Sequence, residues 1–175
     1  MQVAGESQCK VYQFDVSELT TILIVASIVG SGLITGLLFA FSNFVMRALA
    51  QLPPDKGMFA MQRVNETIIN PIFLALFFGT PLLCLVIAVT SAPILDEPGR
   101  LWLFSGAVAY LAGPFGITLL FNVPLNNRLA RANNTGVEVI WPKYQKSWQR
   151  WNHLRTCIGI VSLACLATGL GTVDA

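Results

Sequence analysis

The chain has 175 residues, of which 54% are hydrophobic and 11% are charged, and its formal net charge is +2. Soluble domains usually have about a quarter of their residues charged, so this composition excludes a water-covered globular domain. It indicates an integral membrane protein whose main partner is the lipid bilayer. The small net charge gives no reason to expect a nucleic-acid partner.

Four apolar stretches are each long enough to cross a bilayer, which takes about 20 residues. In chain order they cover residues 19–46, 67–90, 101–123 and 151–173. They leave no room for a separate soluble domain, so the sequence predicts an all-α fold, a four-helix transmembrane bundle, over residues 19–175. A polar N-terminal segment, residues 1–18, precedes it. The first stretch is much longer than the apolar core of a secretory signal, so we expect it to stay in the mature protein.

The first connection contains a proline-rich turn followed by residues 58–65. In this piece Met58, Met61 and Val64 share one helical face, and that spacing predicts a short interfacial helix. The third connection, at about 130–147, is polar and is expected to be a loop.

Positive charges are unevenly distributed between the two sides of the predicted bundle. Nine of the eleven lysines and arginines lie in or beside the first and third connections. The positive-inside rule therefore predicts that these connections are cytoplasmic and that both termini are non-cytoplasmic.

Polar side chains of the four stretches are concentrated at one end of the predicted bundle. They are Ser42 and Asn43 in the first stretch, Asn65, Glu66 and Asn70 around the start of the second, Thr118, Asn122, Asn126 and Asn127 towards the end of the third, and Asn152, His153 and Arg155 in the fourth. Polar groups embedded in a membrane usually face one another or a cavity. Thr118, Asn122 and Asn126 have i, i+4 spacing and therefore form one stripe. The pattern predicts a polar pocket at this end.

Phenylalanines close to these polar groups indicate what such a pocket would accept. They are Phe39, Phe41, Phe44, Phe73, Phe77, Phe115 and Phe121. Aromatic walls suit a flat hydrophobic aromatic, a quinone or another lipid-like small molecule. His153 is the only histidine, and because histidine is the side chain that changes charge most readily near neutral pH, it is a candidate for proton transfer.

Several of these residues also have purely structural explanations. Asparagines at helix ends often cap helices or hydrogen-bond across a bundle. Arg155 could extend to lipid phosphates, and interfacial tryptophans often form a belt. Glu66 could neutralise a helix N-terminus, pair with Arg63 or Arg155, or accept a proton. The pattern alone does not choose between these explanations.

The sequence predicts no metal site and no bound cofactor. One histidine beside one glutamate does not supply the three or more ligands that a transition metal usually needs. The four cysteines have no CxxC spacing, and no glycine-rich nucleotide motif or esterase elbow is present.

Five short motifs carry a family resemblance. They are FSNFVM at 41–46, MQRVN at 61–65, NP at 70–71, FNVPLNN at 121–127 and WNHLRT at 151–156. In these motifs, and over almost the whole chain after residue 20, the sequence resembles the anthrone oxygenase family, also called domain of unknown function 1772. The resemblance implies a small four-helix membrane protein that oxygenates an anthrone to an anthraquinone. Such a monooxygenase would use molecular oxygen as its co-substrate and would have no obvious cofactor.

The resemblance also implies roles for the polar residues. Loss of a proton from the central methylene of an anthrone gives a delocalised carbanion that can pass an electron to oxygen. The implied catalytic set is His153 as base, Arg155 as the group that stabilises the enolate, and Asn122, Asn126 and Asn152 as amide donors. The implied substrate-binding set is Asn43, Asn70, Asn127, Thr118, Phe41, Phe121 and Trp151. Two alternatives stay open: a non-enzymatic quinone- or lipid-binding protein, and a structural membrane subunit whose asparagines only hold helices together.

Overall fold

The computed structural model describes residues 16–133 and 135–173, and in these residues it is helical with no strand. Most of the predicted N-terminal segment, 1–18, lies outside the described residues. The elements are α1 (Val16–Ala40), a first π segment (Phe41–Val45), α2 (Met46–Ala50), α3 (Pro54–Thr67), α4 (Pro71–Ser91), a 3₁₀ turn (Ala92–Ile94), α5 (Arg100–Tyr110), a second π segment (Leu111–Asn122), α6 (Val123–Ala130) and α7 (Val137–Val173).

Four runs of helix are long and apolar enough to cross a membrane. They are Glu18–Ala50, Pro71–Ile94, Arg100–Ala130 and Val137–Thr172, called here the first to fourth spans, with mean hydropathies between 1.6 and 2.7. The protein is therefore an integral membrane protein, and the predicted all-α bundle of four transmembrane helices is confirmed.

The four spans form a ring in which each packs on two neighbours. α1 packs against α4 and α7, and α5 packs against the same two helices. The core between them contains Ile24, Leu38, Cys84, Leu103, Tyr110 and Leu166. Gly113 allows the second π segment to approach Ile158 of α7 so closely that a Cβ atom there would overlap its side chain. This tight contact sets the position of the third span against α7.

A second apolar cluster covers one end of the bundle. It is formed by Phe41, Met46, Met58, Met61, Leu129, Val137, Trp141, Tyr144 and Trp148. The interfacial helix predicted at 58–65 is α3, and its Met58 and Met61 are buried as their spacing predicts. The Gln62 amide Nε2 donates to the carbonyls of Leu129, at 2.8 Å, and Ala132, at 3.3 Å. These bonds tie α3 to the end of α6.

The fourth span begins earlier than the sequence predicts. α7 starts at Val137 and runs unbroken through the stretch expected to be a polar loop. Trp141, Tyr144 and Trp148 follow helical spacing and are all buried, whereas Lys143 and Lys146 on the other face are exposed. This amphipathic pattern keeps the chain helical past Pro142 because burial of three large aromatic rings outweighs the lost backbone bond.

Candidate functional site

A cavity of about 400 Å³ lies at the end of the bundle that the second cluster covers. All four spans and α3 contribute to its wall. The wall includes Leu38 and Phe41, Met61 and Asn65 of α3, Phe73 and Phe77 of α4, Thr118, Asn122 and Asn126 of the third span, and Trp148 and Arg155 of α7. The pocket is thus mostly apolar, with a small polar group on the side formed by α7 and the third span.

Arg155 is the only charged side chain that is fully buried among the described residues. It is 4% exposed, its Nη1 donates to Thr118 Oγ1 at 2.8 Å, and its Nη2 donates to Asn152 Oδ1 at 2.7 Å. Its Nε has no hydrogen-bond partner. The guanidinium carbon lies 5.4 Å from the Trp148 ring centroid.

No carboxylate neutralises this cation within the described residues. The ion pairs found there join Lys56 to Asp55, Arg63 to Glu66 and Arg100 to Glu97, and all involve exposed or partly exposed groups. A buried charge without a counter-ion costs several kcal/mol. The arrangement is therefore suited to a ligand that brings a negative or strongly polarised oxygen.

Asn152 holds Arg155 in place from behind the pocket. Its Nδ2 donates at 2.8 Å both to the Leu38 carbonyl and to Ser42 Oγ, while its Oδ1 accepts from Arg155. Asn152 is fully buried but does not line the cavity. It joins α7 to Leu38 of α1 and Ser42 of the first π segment, so this geometry favours a positioning role for Asn152 over direct contact with a ligand.

The predicted stripe on the third span faces the pocket. Asn122 is 1% exposed, donates from Nδ2 to the Trp148 carbonyl at 3.3 Å, and has a buried Oδ1 without a partner. Asn126 accepts at Oδ1 from Tyr144 Oη and from Trp148 Nε1, both at 2.9 Å. Thr118 donates its hydroxyl proton to the Pro114 carbonyl and accepts from Arg155. The Asn126 Oδ1 and the Thr118 hydroxyl thus have protein partners, whereas Asn122 Oδ1 has none among the described residues.

The structure also brings to the site three residues that the implied catalytic and substrate-binding sets leave out. Asn65 lines the pocket, and its Nδ2 is buried without a hydrogen-bond partner. Trp148 lines the pocket beside Arg155, and Tyr144 supports Asn126. The i, i+4 spacing of Tyr144 and Trp148 would have placed both rings on one helical face. The surrounding residues are polar, however, so the stretch was predicted to be a loop.

Six predicted site residues do not line the cavity: Asn152, described above, and His153, Asn43, Asn70, Phe121 and Trp151. His153 and Asn43 are exposed on the outer surfaces of their helices. Asn70 is the N-cap of α4, and its side chain accepts a hydrogen bond from the Phe73 backbone N–H at 3.0 Å. Helix capping, the structural explanation considered for such asparagines, therefore accounts for this residue.

Phe121 and Trp151, both in the implied substrate-binding set, contact each other and not the cavity. The rings of Phe121 and Trp151 stack on each other at a centroid distance of 3.8 Å, away from the cavity. Of the predicted substrate contacts, Phe41, Thr118 and Asn127 line the pocket. The geometry therefore supports Arg155 and Asn122 as ligand contacts and gives no support to His153 as a base.

Helix geometry explains why neighbouring residues of α7 differ in whether they face the bundle or its outer surface. Successive residues of a helix are about 100° apart, so Asn152, Arg155 and Thr156 face the bundle while His153 between them faces outward. In the described residues, no group of three or more histidine, cysteine, aspartate or glutamate side chains is placed to hold a metal ion.

Fold and site together define a small four-helix membrane protein with an aromatic pocket built around a buried arginine. A family model described as anthrone oxygenase matches residues 73–165, which is more than half of the chain. The chain belongs to the anthrone oxygenase family, and the matched region includes most of α4, the third span and Arg155. No curated protein and no solved structure matches the chain.

Proposed function

We propose that the protein oxygenates a hydrophobic aromatic of the anthrone type, converting a ring methylene to a carbonyl with molecular oxygen. The observation that carries the proposal is Arg155, a buried cation that lies in the wall of a mostly apolar pocket and pairs with no carboxylate of residues 16–133 and 135–173. Membership of the anthrone oxygenase family supports the reaction class.

The proposed reaction combines one anthrone with one O₂ and yields one anthraquinone and one water. Loss of a methylene proton leaves an enolate whose negative charge lies largely on the ketone oxygen. One electron passes from the enolate to O₂, and the two radicals combine to form a carbon–oxygen bond. Protonation gives a hydroperoxide, and loss of water from it leaves the second carbonyl. The protein has to stabilise the enolate, because the later steps follow from its reactivity.

The pocket contains the groups that an enolate requires. In the part of the chain that the structure describes, no hydrogen-bond partner is found for the buried donors Arg155 Nε and Asn65 Nδ2 or for the buried acceptor Asn122 Oδ1, which could receive a ligand hydroxyl. In a site that excludes water, such pre-positioned groups stabilise developing charge far better than they do in bulk solvent. Phe41, Phe73 and Phe77 supply the ring surface against which a flat tricycle packs.

Glu66 is the carboxylate that lines the pocket, and we assign it the role of proton acceptor. It lies at the exposed rim, where its Oε2 is 2.7 Å from Arg63 Nη1. His153 does not line the cavity. The proton would leave the pocket at the exposed edge beside Glu66, whereas the negative charge of the enolate would be held by Arg155 on the buried side.

The test is oxygen uptake by the purified protein in lipid nanodiscs with anthrone as substrate. We expect Arg155→Gln to lower kcat/KM by about 100-fold, because one charge-stabilising donor is lost. The matched control is Arg150→Gln, which removes an exposed arginine from the same helix. Arg155→Lys, which keeps the charge, separates loss of the cation from loss of folding. Full turnover by a folded Arg155→Gln protein would contradict the proposal.

The same assay separates the two assignments of the base. Glu66→Gln should lower kcat, while His153→Ala should leave it unchanged because its side chain is exposed outside the pocket. The reverse result would return the role to His153.

A non-enzymatic quinone-binding protein is the second candidate. It is favoured by one observation: the pocket-lining carboxylate, Glu66, is exposed and paired with Arg63, and not buried as a strongly tuned base usually is. Thermal stabilisation by anthraquinone without oxygen uptake from anthrone would support this candidate over the oxygenase.

A further inference from the structure

The wall of the pocket is buried on one side and exposed on the other. The buried side is formed by Leu38, Phe41, Met61, Asn122, Trp148 and Arg155. On the opposite side, Leu74 and Phe78 of α4 face Leu119 and Val123 of the third span, and these four side chains are between 37% and 55% exposed. The cavity therefore has a mouth, which lies between α4 and the third span.

Packed side chains bound the mouth towards the middle of the bundle, and a hydrogen-bonded contact narrows it towards the connections. Towards the middle of the bundle, Phe115 of the second π segment contacts Phe77 and Phe78, with ring centroids 5.3 and 6.3 Å apart. Towards the connections, Gln62 of α3 is hydrogen-bonded to the end of α6. The wall also has exposed polar residues at the connection end, Glu66 and Asn127, whereas the apolar part of the opening is lateral, between two membrane-crossing helices.

The rim of this mouth is apolar where it lies within the spans. Leu74 and Phe78 belong to the span Pro71–Ile94, and Leu119 and Val123 belong to the span Arg100–Ala130. In a bilayer these side chains face acyl chains and not water. A ligand that dissolves in the hydrocarbon can pass them without exposing apolar surface to water, and it meets Arg155 on the far side of the pocket.

We infer that the aromatic ligand reaches the pocket sideways from the bilayer, through the mouth formed by Leu74, Phe78, Leu119 and Val123. The inference rests on the proposed function for the aromatic nature of the ligand. It adds a substrate class, namely uncharged aromatics that partition into the membrane. It also assigns the rim residues a role in ligand entry, separate from the binding of the ligand by the buried side of the pocket.

The first experiment measures binding kinetics in proteoliposomes with anthraquinone dissolved in the bilayer. Trp148 lines the pocket, so quenching of its fluorescence reports arrival of the ligand. The background carries W102F and W151F, which leaves Trp148 and the buried Trp141 as emitters. Leu119→Phe with Val123→Phe narrows the mouth. Leu120→Phe with Val161→Phe is the matched control, since these residues are 70% and 55% exposed and do not line the pocket.

We expect the narrowed mouth to slow association and dissociation by about ten-fold each, with the Kd nearly unchanged, because a rim residue alters the barrier and not the bound state. The control pair should bind at the wild-type rate. Wild-type kinetics in the narrowed variant would overturn the inference.

A second probe keeps the test independent of the proposed function. Bromohexane dissolved in the bilayer is a small apolar quencher that needs no aromatic site. Quenching of Trp148 by bromohexane in the wild type and its loss in the narrowed variant would support the mouth even if anthraquinone failed to bind, and that failure would count against the proposed function alone. Equal quenching in both variants, or quenching of Trp148 by aqueous acrylamide alone, would overturn the lateral route.

Discussion

The two neighbours Asn152 and His153 show most clearly what decides the role of a residue in this protein. Both are polar, and both belong to the motif WNHLRT at residues 151–156. Asn152 is fully buried with three hydrogen bonds, and His153 is exposed on the outside of the same helix. A membrane helix is apolar towards lipid and towards its neighbours alike, so hydrophobic periodicity does not tell which side faces inward.

Replacing Asn152 should therefore be far more damaging than replacing His153. Asn152→Leu removes the donors to Leu38 and Ser42 and leaves Arg155 Nη2 unpaired in the interior. We expect a loss of about 3 kcal/mol in the free energy of unfolding, because three buried hydrogen bonds are lost, one of them to a charged group. His153→Leu, one residue away, should change it by about 0.5 kcal/mol or less. Denaturant unfolding in detergent micelles measures both, and equal losses would show that Asn152 does not hold Arg155.

The pocket residues were predictable as a set but not in their individual roles. Thr118, Asn122 and Asn126 share a face by spacing alone, and they do line the cavity. Asn70 and Asn152 are both asparagines near predicted helix starts, yet Asn70 caps α4, whereas Asn152 lies inside α7 and orients Arg155. Which of these roles an asparagine takes depends on the backbone atoms that approach it from other helices, and these contacts are absent from a single sequence.

Helices were easiest to predict where they are uniformly apolar. They were hardest to predict where they extend from the membrane interior into the membrane–water interface. The four spans follow from length and composition, and α3 follows from its methionine spacing. The early start of α7 was missed because lysines and Pro142 mask the buried face of Trp141, Tyr144 and Trp148. The two π segments were also missed, since a π turn depends on local competition for backbone carbonyls such as those of Leu38 and Pro114.

The close contact of α3 with α7 gives a prediction at the scale of elements. A Cβ atom at Gly57 would lie 2.7 Å from the Leu49 carbonyl oxygen and 2.9 Å from Trp141 Nε1. Gly57→Ala should push α3 away from α7 and destabilise the protein by about 1–3 kcal/mol. It should also weaken anthraquinone binding, because Met61 and Asn65 of α3 line the pocket.

Gly79 of α4 is the matched control for this change. A Cβ atom there meets nothing within 4 Å, so Gly79→Ala should be neutral or stabilising by about 1 kcal/mol or less. Unfolding and binding are measured on both variants. An unchanged Kd for Gly57→Ala would show that the position of α3 does not shape the pocket.

At the scale of the whole molecule, charge and pocket lie at the same end of the bundle. The exposed basic residues at that end are Arg47, Lys56, Arg63, Arg128, Arg131, Lys143, Lys146 and Arg150. At the other end, the described residues include only Arg100, which pairs with Glu97 at 3.5 Å. The helical folding of residues 137–150 does not disturb this asymmetry, because the lysines of that stretch stay on the exposed face.

The asymmetry predicts that the pocket end faces the cytoplasm and that both termini are non-cytoplasmic. In a background without native cysteines, Asp96→Cys in the second connection should react with a membrane-impermeant maleimide added to intact cells. Asn133→Cys in the third connection should react only after the membrane is permeabilised, since that connection carries the positive charge. Both positions are exposed, so folding does not hide either thiol. Labelling of Asn133→Cys in intact cells together with protection of Asp96→Cys would invert the topology. The lateral mouth would then lie in the outer half of the bilayer, with its shape and its proposed ligand unchanged.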